Sequence, residues 1–182
     1  MPTLEIRRHA QRKPGGGSQL SQQGVELARR LGDTLGPFNH VATSVVPRAR
    51  ETAIAMGYAV DHELVTLSTD EEVYSEIEES RWWTADQPMA SLASLVQRRE
   101  AVWRYGSSIA ALWRDLLTPL GDGGSVLFIG HSGELEIALL CCFPGADYSS
   151  FRAGFGPLEG AKLHFDGEPA RFTKFELLRL TN

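Results

Sequence analysis

Arg7, Arg8 and His9 stand together at the end of a short alternating run, and Arg12 and Lys13 follow closely behind them. A second histidine, His131, lies in the stretch Gly130-His131-Ser132-Gly133, directly after the apolar run Ser125 to Ile129. Arg48 follows Thr43-Ser44-Val45-Val46-Pro47, where a strand should give way to a helix. In the first turn of that helix, free backbone amides and the helix dipole already favour an anion, and a guanidinium adds a forked donor to them. Arg8 and His9 end one strand and His131 ends another, so both histidines can reach the same sheet edge. Together these residues make a local anion site. His40, His62 and His164 lack such company and are read as structural, and Arg50, about 200° around the helix from Arg48, as a solvent-facing charge.

The elements that must carry these residues alternate between strand and helix. Thr3 to Arg8 reads as a strand, and a glycine-rich loop at Pro14 to Ser18 leads to a helix over Gln19 to Leu35. That helix has Leu27, Ala28, Leu31 and Leu35 on one side and Ser21 as its N-cap. His40 to Ser44 is a short strand, Arg48 to Met56 a helix closed by Gly57, and Glu63 to Leu67 a third strand. Six acids then fall between Asp70 and Glu79. Apolar residues recur at helical spacing from Ser91 to Leu117, giving one long helix or two broken near Gly106. The turn Gly121 to Gly124 precedes the strand Ser125 to Ile129, and a helix over Gly133 to Phe143 follows it. Lys162 to Phe165 and Arg171 to Leu178 read as an antiparallel hairpin.

Such alternation predicts one α/β domain over residues 1–182. It should be a three-layer α/β/α sandwich around a mostly parallel sheet, with a helical insert at about residues 70–118 after the third strand. In sheets of this kind ligands bind at the carboxyl ends of the strands, where the basic residues fall.

The length of 182 residues suits a single core of ordinary size. A net charge of −5 argues against non-specific affinity for nucleic acid or anionic lipid, so any anion must be held by a local basic pocket. The N-terminus carries no apolar core of signal-peptide length, and no apolar run approaches the length needed to span a bilayer, so a cytoplasmic protein is expected. Cys141 and Cys142 are adjacent on an apolar helix, a spacing that suits packing better than a disulfide or a metal.

The chain resembles the histidine phosphatase superfamily, in its phosphoglycerate mutase-like branch. Arg8-His9-Ala10 stands for the family's Arg-His-Gly, and Leu20-Ser21-Gln22-Gln23-Gly24 for its Leu-Thr-x-x-Gly helix start. Ser44-x-x-x-Arg48-Ala49-x-x-Thr52-Ala53 matches the motif of the second phosphate arginine, and Gly130-His131-Ser132-Gly133 the second-histidine motif. The resemblance implies that His9 attacks phosphorus as a neutral imidazole and forms a phosphohistidine. It further implies that Arg8, Arg48 and His131 hold the phosphoryl oxygens, and that no metal or other cofactor takes part.

The same resemblance assigns the proton donor to Glu71, in the register Glu71-x-x-Tyr74-Ser75-x-Ile77-Glu78-Glu79, with Glu72 and Glu76 in reserve. Crowding of carboxylates would raise the pKa of that acid. Ala10 replaces a glycine and should put a methyl group near the phosphate; Ser75 and Glu79 replace two more. A family asparagine is absent from Lys13 to Gly15, and Arg12 or Lys13 could compensate or be plain loop charges. Trp82 and Trp83 either line a specificity pocket or pack the insert. The implied function is a metal-independent phosphatase on a small phosphorylated metabolite or a phosphoprotein. The alternatives are a non-catalytic phosphate-binding module and a mutase-like phosphotransferase. No nucleic acid or membrane partner is expected.

Overall fold

The computed structural model describes residues 1–15, 17–65, 71–148 and 151–180. Its strands β1 (Thr3–Arg8), β2 (His40–Ser44), β3 (His62–Leu64), β4 (Ser125–Gly130), β5 (Gly160–Gly167) and β6 (Ala170–Leu178) form one open sheet in the order β3-β2-β4-β1-β5-β6. β3, β2, β4 and β1 run parallel, and β5 joins β1 antiparallel and pairs with β6 as a hairpin. The sheet is therefore mostly parallel, with helices on both faces, as the alternation of elements predicts.

Among the described residues the helices are α1 (Gln22–Gly32), α2 (Pro47–Ala55), α3 (Glu71–Ser80), α4 (Pro88–Arg98), α5 (Glu100–Leu117) and α6 (Glu134–Cys142), with a 3-10 turn at Trp82–Thr84. β4 shows how they divide. Its side chains alternate across the sheet, so Val126 and Phe128 enter the core formed with α3 to α6, while Leu127 and Ile129 enter the smaller core formed with α1 and α2. A strand covered on both faces has no polar side to spare, which explains the unbroken apolar run Val126 to Ile129.

Several boundaries differ from the sequence expectation. α1 begins at Gln22 rather than Gln19, because Leu20 bridges to Arg12 and Ser21 then caps the helix, its hydroxyl accepting from Gly24 N at 3.0 Å. The long apolar segment is two helices, parted at the extended Arg99 and not at Gly106. Gly106 lies within α5 where it crosses α6, and a Cβ there would come within 2.5 Å of Ile137 Cγ2 and 2.8 Å of Cys141 Sγ. Glycine is placed at that position by close helix packing. The acidic run forms a helix, α3, anchored by Val73 and Ile77 one turn apart. The strand expected over Glu63 to Leu67 is formed by His62–Leu64; Thr66, Leu67 and Asp70 fall outside the described residues.

Cys141 and Cys142 are both reduced, and burial pushes both thiols up from their ordinary pKa, as packing cysteines require. Among the described residues, no helix is long and apolar enough to cross a membrane.

Candidate active site

β1 and β4 are parallel neighbours in a register that pairs Arg8 with Gly130. The residues that leave the sheet next, His9 and His131, therefore emerge side by side, with His9 N bonded to Gly130 O at 3.0 Å and ring centroids 5.2 Å apart. Alternation along β1 also sorts the two arginines. Arg7 faces the α1/α2 side, where it is buried against Glu5 and donates to Leu158 O at 2.6 Å. Arg8 faces the other side and donates to Phe155 O at 2.7 Å, while its Nε, also buried, has no hydrogen-bond partner among the described residues. Arg7 holds the fold together, and Arg8 still has a donor to offer.

β2 flanks β4 on the other side and brings Ser44 within 2.7 Å of His131 Nε2. The chain then turns into α2, whose first turn presents Arg48, its guanidinium Nε donating to His9 Nε2 at 3.0 Å. That bond fixes the tautomer of His9. Nδ1 lies 2.7 Å from the Ala10 carbonyl, which can only accept, so Nδ1 carries the proton and Nε2 keeps its lone pair. Thr52 explains the rest of the second-arginine motif: its hydroxyl accepts from Ala10 N at 3.0 Å and donates to Arg48 O at 2.7 Å, tying α2 to the end of β1. Gly24 does similar work for α1, since a Cβ there would run into the Gln11 carbonyl.

The electrostatics are those of a cationic pocket. Burial, followed by Arg48, Arg8 and Arg12, depresses the His9 pKa to about 4. Burial, followed by Arg48, His9 and Arg8, depresses His131 to about 3. Both rings are thus neutral near pH 7. Arg8 and Arg48 are themselves lowered, first by burial and then by Arg12 among other charges. Arg12 belongs to this cluster, whereas Lys13 turns away to Gln19, its Nζ donating at 2.8 Å.

Two residues of the site escaped the sequence reading. Glu134 and Glu136, both buried, open α6, with Glu134 acting on the charge of Arg48 and Glu136 on that of Arg8. Glu136 accepts from Gly133 N at 2.7 Å, Ser132 Oγ at 3.0 Å and Phe155 N at 2.7 Å. It thereby joins the His131 turn to the segment whose carbonyl holds Arg8. The signal was present in the sequence: these two carboxylates stand at the head of the segment Glu134–Cys142, which is otherwise wholly apolar, and a buried acid in such a place needs partners.

The acidic candidates separate. Glu71 is exposed in the first turn of α3, and no hydrogen bond or ion pair joins it to the cluster among the described residues. Glu72 is exposed on the same turn, and Glu76 is drawn off toward α4, 3.9 Å from Arg99. Glu78 lines a cavity together with Arg8, Trp82 and Trp83. Trp82 both packs the insert and lines this cavity; it is only 3% exposed, against 45% for Trp83. Ala10 does not intrude on the site as its methyl was expected to do, because it is fully buried in the α1/α2 core with Leu20, Ala49 and Ala53. Among the described residues, no group of three or more His, Cys, Asp or Glu side chains could hold a metal ion.

No protein-family model matches the chain, and no curated protein sequence matches it. Solved structures do. The chain is similar to a phosphoserine phosphatase from Entamoeba histolytica in complex with 3-phosphoglyceric acid, at 15% identity over 96% of each chain and a TM-score of 0.60. A mycobacterial glucosyl-3-phosphoglycerate phosphatase bound to VO3 matches at 17% identity over 98% of this chain and 99% of that one, with a TM-score of 0.62. A second mycobacterial protein, described as hydrolase 1, matches at 16% identity over 99% of each chain, with a TM-score of 0.65.

Proposed function

Because the chain has the histidine phosphatase fold, we propose that it is a metal-independent phosphatase acting on phosphomonoesters through a phosphohistidine at His9. The observation that carries this reading is the state of His9, a neutral imidazole with its Nε2 lone pair held at the centre of Arg8, Arg12 and Arg48. A phosphoryl group arriving there takes over the guanidinium of Arg48, which exchanges its bond to Nε2 for one to a non-bridging oxygen and frees the nucleophile. Nε2 then forms the N–P bond as the ester P–O bond breaks, and the leaving oxygen takes a proton from a carboxylic acid of α3. Water next attacks the phosphohistidine and passes a proton to the same carboxylate. His9 is regenerated and inorganic phosphate leaves.

Glu71 is the acid of this reading. It lies seven residues before the cavity-lining Glu78, a separation that brings two positions of a helix to within about 20° of one face. His131, whose ring centroid lies 5.2 Å from that of His9 and whose Nε2 Ser44 holds, hydrogen-bonds the phosphoryl oxygens in this reading. The substrates named for the neighbours, phosphoserine and glucosyl-3-phosphoglycerate, favour a small metabolite over a phosphoprotein. Rapid mixing with p-nitrophenyl phosphate should give a stoichiometric burst of nitrophenolate and an acid-labile, alkali-stable phosphoprotein, both lost in His9→Ala. Anion binding without a burst or turnover would instead identify a phosphate-binding module, and label persisting in His9→Ala would move the nucleophile elsewhere.

A further inference from the structure

The cavity of about 380 Å3 beside the cluster has two poles. Arg8 lines it on the side of the phosphoryl site, and Glu78 supplies the opposite charge from α3. Among the described residues no cation pairs with Glu78, unlike its neighbour Glu76, which Arg99 occupies. The indoles of Trp82 and Trp83 line the same cavity, set edge to face at 85° with ring centroids 6.1 Å apart. Trp82 is anchored by burial, whereas Trp83 is 45% exposed and lies outside the core.

The space equals that of about a dozen waters at ~30 Å3 each, which suits a small head group. Chemistry narrows the class further. A carboxylate in the wall repels an anionic leaving group, and an indole face beside a carboxylate is the arrangement that recognises alkylated ammonium ions.

We propose that this cavity is the leaving-group subsite and that it selects phosphomonoesters whose alcohol carries an ammonium group, of the phosphoethanolamine and phosphocholine kind. The inference rests on the phosphatase reading in one respect, the placing of the phosphoryl group between Arg8 and Arg48. With the phosphate there, a chain of two carbons carries the cation away from the arginines, which would repel it, and toward Glu78 and the indoles, which attract it.

Equilibrium binding separates this subsite from turnover. In the His9→Ala background, which removes the nucleophile, phosphocholine should bind at least about tenfold tighter than glycerol 3-phosphate, and 3-phosphoglycerate weakest of the three. Glu78→Lys should reverse that order, and Trp83→Ala should cut the advantage of phosphocholine over phosphoethanolamine; both positions are exposed, so neither change should unfold the protein. Equal affinities, or an order that Glu78→Lys leaves intact, would overturn the proposal. Turnover of p-nitrophenyl phosphate by the unaltered protein reports on the phosphatase reading alone. Turnover without cation preference defeats the subsite and spares the phosphatase; the predicted binding order without turnover does the reverse.

Discussion

Removing the titration of His9 should flatten the acid limb of the stability curve by a calculable amount. The folded protein holds His9 at about 4 where an unfolded chain holds histidine near 6.5. Between those values the unfolded state binds more protons than the folded one, so stability falls as the pH drops from about 6.5 toward 4 and is fully present above 6.5. For one site with these two pKa values, the loss relative to neutral pH is about 2 kcal/mol at pH 5 and about 3 kcal/mol at pH 4. His9→Asn is the suitable perturbation, because the Asn amide can keep the bond that Nδ1 donates to the Ala10 carbonyl while removing the titrating ring. Urea unfolding from pH 4 to 8 on both proteins gives the difference curve, in which titration of the other groups largely cancels. The unaltered protein should lose stability relative to the variant by about 2 kcal/mol between pH 7 and 5. A difference that stays constant within about 0.5 kcal/mol would mean that the folded protein does not exclude the proton from His9, and the case for a neutral nucleophile in a cationic pocket would fail.

Arg48→Ala should cost about 2–4 kcal/mol in kcat/KM for any phosphomonoester, the scale of losing one donor to a developing oxyanion, and a loss under about tenfold would take Arg48 out of the pocket. Glu71→Gln should spare aryl phosphates, whose phenolate leaves without a proton, yet slow an alkyl phosphate by about 10²-fold or more. Equal loss on both substrates would make Glu71 structural and send the same comparison to Glu78. Glu136→Ala should destabilise the fold by about 3–5 kcal/mol, since it leaves the buried amides of Gly133 and Phe155 without an acceptor. A shift in urea midpoint corresponding to less than about 1 kcal/mol would show that water replaces the carboxylate at little cost.

What the sequence determined by itself is the part of the site built from local rules. A strand that ends and a helix that begins are written in neighbouring residues, so Arg8-His9, the run from Ser44 to Arg48 and Gly130-His131 could be placed at one sheet edge from the alternation of elements. The Ser21 cap and the closing hairpin were legible for the same reason. Tertiary structure alone decided which side chains meet. The pairing of Arg8 with Gly130 sets His9 beside His131 across 122 positions of chain, and no local pattern encodes that register. Strand alternation gives Arg7 to the fold and Arg8 to the site, but only the packing on each face says which is which. Ala10 shows the reverse case, a departure from the family motif that the motif placed at the phosphate and the packing of α1 and α2 placed in the core. The acids of α6 stand out in the sequence, but their partners do not. A carboxylate is tolerated inside an apolar helix when buried amides and guanidiniums converge on it, and those partners come from Ser132 and Gly133 just before the helix, from Phe155 beyond it, and from β1 and α2, which chain folding alone brings together.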